Sequence, residues 1–400
     1  MDEASRGQGA TRPTLRRATT QLADPVAAAR DLAAQLGADR LAGALFFASP
    51  EYCTAPFART LHEALPDTEI IGCSTAGEIG PGGYLDNSVV AIGLATPDFA
   101  VATALLPQLD AFAIAAGRDV AQQLSARLER VQRQPGGPGP GAQRFAVSMI
   151  DSMAQREEAV TTCLDRALGG LPLFGASAGD GLRFEQSRVY HGGAFHEASA
   201  VLALVATTRP FKVFRSQHFV AGEEKLVVTS AAPAQRLVRE INAEPAVEEY
   251  ARLVGRPVDG LTPMVFATNP LVVRLGGAEY VRSIQKANPD GSLAFYAAID
   301  EGLVLTRAEG RDMQLRLEEL FAEIDQAIGE PEVVLAFDCV LRRLELEHRQ
   351  AKRAVSERLD RAGVLGFSTY GEQSGSMHLN QTFTGVAIGR HRAAGGDQGA

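Results

Sequence analysis

The stretch Ile70-Ile-Gly-Cys-Ser-Thr-Ala-Gly-Glu-Ile-Gly80 organises this 400-residue chain, because close versions of it recur twice. The second copy is Leu173-Phe-Gly-Ala-Ser-Ala-Gly-Asp-Gly-Leu182, and the third is Val364-Leu-Gly-Phe-Ser-Thr-Tyr-Gly-Glu-Gln373. Each copy places a glycine two residues before a serine, and then a second glycine followed by an acid. A motif of this kind, found three times, indicates one supersecondary unit used three times.

The surroundings of the motif repeat as well. Each copy is preceded by an apolar, strand-like run and a helical stretch, and it is followed by a second apolar run. The preceding runs are 44–48, 145–150 and 333–337, and the following runs are 89–94, 201–205 and 384–388. The pattern predicts a mixed α/β fold, with repeated strand–helix–strand units in layered mixed sheets and two domains.

The motif itself reads as the end of a strand. Its glycines allow backbone angles or close contacts that a side chain would prevent, and its polar residues then face whatever docks there. We therefore predict a ligand pocket lined by Ser74, Thr75, Glu78, Ser177, Asp180, Ser368, Tyr370 and Glu372. The alternative is a turn whose serine and acid satisfy their own backbone. The spacing alone leaves both interpretations open.

Composition restricts the class of protein. The net charge is −9 and the basic residues form no dense cluster, which argues against a nucleic-acid partner. The cysteines at 53, 73, 163 and 339 lie far apart, so they form no zinc or haem-attachment motif and suit a reducing compartment. Neither a secretory signal nor an apolar run of membrane-spanning length is visible, and we expect a cytoplasmic protein with no membrane partner.

The same reading gives expected boundaries. Residues 1–22 and 390–400 are expected to be disordered tails, 23–243 a first domain with two motif copies, and 244–389 a second domain with the third copy. Within these domains we predict three further features, namely a helix over 233–250, a hairpin of 211–220 with 226–229, and a hairpin around Asn288-Pro-Asp-Gly291.

Together these motifs resemble the FIST family, bacterial sensory proteins with a FIST N domain followed by a FIST C domain. The resemblance covers about residues 40–389 and depends on the three motif copies and on Tyr280–Ile284 with Asp290–Leu293. Four further stretches resemble a narrower branch, the nitric-oxide-sensing proteins called NosP. These are Ser216–Val220, Val281–Lys286, Asp338–Arg343 and Asn380–Gly385.

The NosP resemblance implies a non-covalent haem b that binds nitric oxide at its iron. It also implies a partner, either a histidine kinase or a cyclic-di-GMP enzyme, and a second copy of this chain is a further candidate partner. The broader FIST resemblance implies a sensor that binds a small metabolite such as an amino acid, without haem. In both cases the protein binds a ligand and is not an enzyme.

Haem requires an axial ligand and cations for its propionates. His218, in a predicted strand, is the first candidate for the iron ligand and His378 is the second. Arg282 and Lys286 are four residues apart on a predicted strand, so they would share a face and bind propionates or another carboxylate. The alternatives are a histidine satisfied in the core and an exposed strand face.

One enzymatic alternative remains, because Gly175-Ala-Ser-Ala-Gly179 matches the nucleophile elbow of serine hydrolases. That elbow requires a helix directly after the serine. Here Asp180-Gly181 follows, which favours a turn.

Overall fold

The computed structural model describes residues 13–391, which form three copies of one unit and one inserted unit. Each copy runs strand, helix, strand, helix, strand, hairpin, strand, and in the third copy the second helix is split in two. We call the copies repeat 1 (15–95), repeat 2 (99–207) and repeat 3 (211–217 with 313–389). The insertion, which we call the eight-stranded unit, occupies 219–310.

Repeats 1 and 2 have matching element orders. Repeat 1 consists of β1 (Leu15–Thr20), α1 (Pro25–Leu36), β2 (Leu41–Ala48), α2 (Ala55–Ala64), β3 (Glu69–Ser74), β4 (Glu78–Gly80), β5 (Gly83–Leu85) and β6 (Val89–Ala95). Repeat 2 consists of β7 (Phe99–Leu106), α3 (Ile114–Gln132), β8 (Gln143–Ile150), α4 (Glu157–Leu168), β9 (Leu173–Ser177), β10 (Val189–His191), β11 (Ala194–His196) and β12 (Ala200–Thr207).

Repeat 3 opens with β13 (Phe211–Gln217) and is then interrupted. The eight-stranded unit consists of β14 (Phe219–Ala232), β15 (Leu237–Ile241), β16 (Glu244–Pro245), α5 (Ala246–Val254), α6 (Pro263–Thr268), β17 (Leu271–Leu275), β18 (Ala278–Arg282), β19 (Ile284–Ala287), β20 (Leu293–Phe295) and β21 (Val304–Gly310). Repeat 3 resumes with α7 (Met313–Ile328), β22 (Pro331–Cys339), α8 (Val340–His348), α9 (Lys352–Arg361), β23 (Val364–Thr369), β24 (Glu372–Ser374), β25 (Met377–Leu379) and β26 (Thr382–Gly389).

The repeats exchange their hairpins in a closed cycle. The three sheets have the orders β1-β6-β2-β3-β10-β11, β7-β12-β8-β9-β24-β25 and β13-β26-β22-β23-β4-β5. Repeat 2 thus gives its hairpin to the sheet of repeat 1, repeat 3 to that of repeat 2, and repeat 1 to that of repeat 3. The repeats therefore form one interlocked body with approximate threefold symmetry.

The inner faces of the three sheets share one core. Its aromatic centre joins repeat 1 to repeat 3, because the Phe47 ring centroid lies 4.8 Å from that of Phe367 and 5.6 Å from that of Phe337. Helices cover the outer faces, α1 and α2 on the first sheet, α3 and α4 on the second, and α7 and α9 on the third. Burial on both faces explains why Val89–Ala95 and Ala200–Thr207 are buried throughout.

Close packing explains the first glycine of each motif. A Cβ atom on Gly366 would lie 1.6 Å from the carbonyl oxygen of Ala336, and one on Gly175 would lie 2.2 Å from Oγ of Ser148. Both distances are too short for any side chain, so the neighbouring strand approaches only because glycine is present.

The predicted mixed α/β class with layered mixed sheets is confirmed. The expected disordered tail 1–22 is wrong over Leu15–Thr20, because this segment pairs with β6 along its whole length; residues 1–12 lie outside the described part. The two arginines of this strand obscured its apolar pattern, although Arg16 is buried and donates hydrogen bonds to backbone oxygens at the end of α1. In the tail expected at 390–400, residues 392–400 likewise lie outside the description.

Two other local predictions need correction. The segment 233–250 contains a 3₁₀ turn, β15 and β16 before α5 begins at Ala246, so its first half is not an α-helix. The strand predicted at 211–220 pairs with β26 and not with 226–229. The hairpin around Asn288–Gly291 is confirmed as β19 paired with β20. The segment 244–389, expected from the sequence to be a second domain, is divided between the eight-stranded unit and the three-sheet body. The division arises because repeat 3 packs with the first two repeats.

Candidate functional site

The three motif loops meet at one end of the three-sheet body. Their serines make equivalent backbone hydrogen bonds to the next repeat in the cycle: Ser74 N to Arg188 O at 2.9 Å, Ser177 N to Gly371 O at 2.8 Å, and Ser368 N to Gly77 O at 2.7 Å. The structure therefore brings together the three loops that the sequence singled out.

Most of the polar side chains predicted to line a ligand pocket point into the protein instead. Ser177, Ser368 and Thr75 are fully buried. Ser177 Oγ accepts a hydrogen bond from Gln373 at 3.1 Å, and Thr75 donates to Glu78. These three side chains are absent from the walls of the cavities described below, whereas Ser74 lines the smaller one.

The acids of the first and third motifs form buried hydrogen bonds to neighbouring segments of the chain. Glu78 accepts hydrogen bonds from Ser88 at 2.6 Å and from Ser49 at 2.9 Å, and Glu372 accepts from Thr382 Oγ1 at 2.7 Å. Burial raises the pKa of Glu78 to about 7 and raises that of Glu372 well above its usual value. Each acid joins its hairpin to the strand that follows.

The three repeat boundaries differ in how they are filled. Between repeats 3 and 1, Arg343 occupies the space, with Nη2 2.7 Å from Oδ2 of Asp86 and Nη1 3.4 Å from the carbonyl oxygen of Ala76. Between repeats 1 and 2 lies a polar pocket of about 320 Å³ lined by Ser74 and Asp180 among others. Between repeats 2 and 3 lies a cleft of about 620 Å³, which the eight-stranded unit closes on one side.

This larger cleft is the candidate site. Its apolar wall consists of side chains from all three bodies, and its main members are Leu182, Phe184, Ile284, Phe295, Leu341 and Leu344. Its polar wall consists of Gln155, Glu157, Arg183, Arg236, Gln285 and Lys286, and the two tyrosines Tyr296 and Tyr370 complete its lining together with Ser152, Met153 and Pro263. A mostly apolar cavity with a few converging polar groups is the usual form of a small-molecule site.

Asp180 shapes the cleft without lining it. In repeat 2, the eight residues 181–188 separate the motif from its hairpin, whereas the other two motifs continue directly into theirs. The Asp180 carboxylate accepts backbone N–H groups from Phe184 at 2.9 Å, Glu185 at 3.0 Å and Gln186 at 2.9 Å. Burial raises the pKa of Asp180, but these bonds and the hydrogen bond from the Tyr370 hydroxyl lower it by more. The net pKa lies below its usual value, so the carboxylate is ionised.

This loop places Phe184 against the tyrosines. The Phe184 ring stacks on Tyr370 with centroids 4.4 Å apart and an interplanar angle of 26°, and its centroid is 5.9 Å from that of Tyr296. Tyr296 is 8% exposed, and its hydroxyl has no hydrogen-bond partner in the part of the chain described. Burial raises the pKa of Tyr296, so this hydroxyl keeps its proton.

An ion cluster forms the inner end of the cleft, with Arg236 and Glu157 buried and Glu158 partly exposed. Arg236 donates to Glu157 Oε2 at 2.5 Å and to Glu158 Oε2 at 2.7 Å, and Glu158 Oε1 accepts from the backbone N–H of Ala298 at 2.9 Å. Burial raises the pKa of Glu158, but His378 and Arg236 outweigh this effect and lower it to about 2. Glu158 therefore stays ionised, and its contacts with Arg236 and Ala298 connect repeat 2 to the eight-stranded unit.

His218 is the single residue between β13 and β14, and both of its ring nitrogens have a hydrogen-bond partner. Nε2 lies 2.8 Å from Glu345 Oε2, and Arg342 donates to Nδ1 at 2.9 Å. Since Arg342 can only donate, the ring proton lies on Nε2 and faces Glu345. Burial lowers the pKa of His218, which keeps the ring neutral. The surroundings of His218 do not fit an iron ligand, because neither nitrogen is free and the ring does not line the cleft.

Of the remaining predicted haem residues His378, Arg282 and Lys286, Lys286 alone lines the cleft. His378 is 3% exposed behind Tyr296, with Nδ1 unpartnered among the described residues and Nε2 3.3 Å from the Tyr296 carbonyl oxygen. Arg282 and Lys286 do not share a strand face: Arg282 is buried at the end of β18, whereas Lys286 is exposed and lines the cleft. The strand breaks at Ser283, and a bulge between Ile284 and Lys286 changes the register.

Sequence reasoning missed Glu157, Phe184, Arg236 and Tyr296 as site residues. One signal for Phe184 was present in the sequence, because the second motif is shorter than its sisters and is followed by a longer segment before the next strand. For Arg236 and Tyr296 no signal was visible, since both lie in the insertion. The hydrolase interpretation does not fit either, because Ser177 ends a strand and residues 178–188 contain no helix.

No helix in residues 13–391 is both long and apolar enough to span a membrane, and these residues contain no cluster of three or more metal-ligating side chains.

Comparison with known proteins gives matches to two family models. The FIST N domain model matches residues 43–244, and the FIST C domain model matches residues 246–375. No curated protein gives a significant match. Among solved structures, the crystal structure of a cyanuric acid hydrolase from A. caulinodans is similar over 95% of this chain and 100% of its own, with 8% identity and a TM-score of 0.36. A likeness this distant transfers neither fold detail nor activity.

Proposed function

Because the chain belongs to the FIST family, whose domains are sensory domains of signal transduction, we propose that it is a ligand-binding signalling module with the cleft as its ligand site. The observation that carries the proposal is the 620 Å³ cleft shared by repeat 2, repeat 3 and the eight-stranded unit. Its volume lies within the range of about 300–1,000 Å³ that small-molecule sites occupy.

The position of the cleft supports a sensory role. A ligand there contacts Phe184 from repeat 2, Leu344 from repeat 3 and Lys286 from the eight-stranded unit at once. Binding to the closed arrangement of these bodies stabilises that arrangement over more open ones, and this shift is the signal. Binding without turnover is the simpler proposal, since the Ser152 hydroxyl in the cleft wall pairs with another serine, Ser187, at 3.0 Å and with no histidine base among the described residues.

A small metabolite is the ligand that we favour over haem. The haem interpretation needs a free histidine nitrogen facing a cavity, whereas His218 is held by Arg342 and Glu345. A nitric-oxide-sensing haem remains a separate proposal with its own test. Protein reconstituted with haem should give a Soret band that shifts on addition of nitric oxide, and a metabolite sensor should show no such specific band.

The receiving partner in this proposal is a histidine kinase or a cyclic-di-GMP enzyme, as the family resemblance implies. A second copy of the chain is a further candidate. Both are testable by co-purification, with and without added ligand.

The direct test fills the cleft. Leu344→Trp adds an indole to the part-buried wall of α8, and Leu315→Trp makes the same change at a 60% exposed position on α7. Metabolites are screened by thermal shift, and each hit is measured by calorimetry on both variants. We expect Leu344→Trp to remove binding and Leu315→Trp to preserve it. Equal binding to both variants would place the ligand elsewhere and reject the cleft as the site.

A further inference from the structure

We propose that the ligand of the cleft is an organic acid with a planar apolar body and no amino group. This inference rests on the proposed function, because it assigns a chemical class to the molecule bound at the same site. It differs from the amino-acid alternative, since an amino acid carries an ammonium group beside its carboxylate.

Unpaired donors in the cleft point to an anion. Lys286 is exposed to the cleft and makes no hydrogen bond or ion pair within residues 13–391. Arg183 donates from Nε to the carbonyl oxygen of Asp180 at 3.0 Å. Its Nη2 forms a longer ion pair with Glu51 Oε1 at 3.5 Å. The Tyr296 hydroxyl is, with Lys286, a second donor without a partner in the described chain, although its residue is more than nine-tenths buried. A donor without a partner gains a hydrogen bond when a ligand supplies the acceptor.

The acid in the cleft wall already has a hydrogen-bond partner on each of its oxygens. Glu157 Oε2 accepts from Arg236 at 2.5 Å, and Glu157 Oε1 accepts from Ser177 Oγ at 3.3 Å. Glu158, behind it, has one oxygen on Arg236 and the other on a backbone N–H. Within the described residues the cleft therefore offers no free carboxylate to an ammonium group, which would lie beside the Arg236 guanidinium. Burying an unpaired ammonium is costly, so a zwitterion loses affinity relative to the plain acid.

The apolar wall selects a flat body. Phe184 continues the stack from Tyr370, and Leu341 and Leu344 from α8 face the same space. A planar apolar group can contact the part-exposed Phe184 ring here with favourable aromatic geometry.

The experiment compares three compounds that share one skeleton. The probes are 3-phenylpropionate, phenylalanine and phenethylamine, each measured by calorimetry on the full chain at pH 7.5. We expect 3-phenylpropionate to bind, phenylalanine to bind about tenfold more weakly and phenethylamine not to bind, because the ammonium would lie near the Lys286 and Arg236 cations without a carboxylate partner. Lys286→Gln should weaken 3-phenylpropionate about fivefold, the upper value for one exposed ion pair, and should leave 3-phenylpropionamide unchanged. Lys225→Gln, an exposed lysine on β14 outside the cleft, is the matched control.

Each outcome decides one of the two proposals. Phenylalanine or phenethylamine binding as tightly as 3-phenylpropionate, with Leu344→Trp still blocking it, rejects the organic acid and leaves the cleft as the ligand site. Binding of 3-phenylpropionate that Leu344→Trp does not change rejects the cleft itself. A lack of binding by all three probes, while an amine-bearing or neutral metabolite binds and is blocked by Leu344→Trp, also rejects the acid class.

Discussion

The hydroxyl of Tyr370 in the third motif donates a hydrogen bond to Oδ1 of Asp180 in the second motif. The same oxygen of Tyr370 accepts backbone N–H groups from Asp180 at 3.2 Å and from Phe184 at 3.3 Å. One side chain from repeat 3 thus fixes the loop by which repeat 2 forms the cleft. The ligand site and the contact between two repeats consequently depend on the same hydroxyl.

Tyr370→Phe should loosen the loop at 181–188 while preserving the fold. It removes the donor to the ionised Asp180, and we expect a loss of about 2 kcal/mol in the free energy of unfolding, the usual range for a hydrogen bond to a charged group. Limited trypsin digestion after Arg183 should become faster. Tyr280→Phe, whose hydroxyl makes no hydrogen bond in the described chain, is the control. Equal digestion rates for the two variants would contradict the assigned role of Tyr370.

Glu78 should make stability depend on pH. Because burial raises its pKa from 4.5 to about 7 in the folded protein, the folded state holds this proton more tightly than the unfolded state. Its contribution is therefore fully present below about pH 4.5 and is lost as the pH rises through 7, with a total on the order of 3 kcal/mol. Glu78→Gln should flatten this part of the profile in urea unfolding between pH 5 and 8. Glu63→Gln, on the exposed face of α2, should retain the wild-type slope.

His218→Ala should destabilise protein that contains no haem. The change leaves the buried Arg342 and Glu345 each without one partner, and breaking such a network costs about 3 kcal/mol. Urea unfolding of haem-free protein measures this loss. His62→Ala, at an exposed position on α2, should change stability by less than about 0.5 kcal/mol. If His218→Ala altered only a haem spectrum and left stability intact, the structural role would be wrong.

Gly366→Ala tests the packing of the repeated motif. The new methyl would meet the Ala336 carbonyl oxygen, so two paired strands must separate, and we expect a loss of about 3 kcal/mol. Gly141→Ala is the control, since a Cβ atom there has no neighbour within 4 Å among the described residues. Thermal unfolding is measured for both variants, and Gly141→Ala should be neutral or slightly stabilising.

The repetition of Gly72, Gly175 and Gly366 made the threefold use of one unit visible in the sequence, because close packing at those points leaves no room for a side chain. The hairpin exchange was not predictable, since each hairpin strand has only three residues and pairs with a strand far away in the chain. The site was misplaced for a related reason. Glu78 and Asp180 occupy similar motif positions, but the ring of hydroxyls around Glu78 buries it, and the loop after Asp180 directs that residue to backbone N–H groups.

The eight-stranded unit leaves repeat 3 at Phe219 and returns at Gly310, and these two residues are paired across β14 and β21. The two chain connections between the unit and repeat 3 therefore lie side by side and can act as a hinge. A rotation of the unit about this pair would widen or narrow the cleft while the three interlocked sheets keep their positions. A molecule bound in the cleft could in this way change the orientation of the unit at the outer surface of the protein.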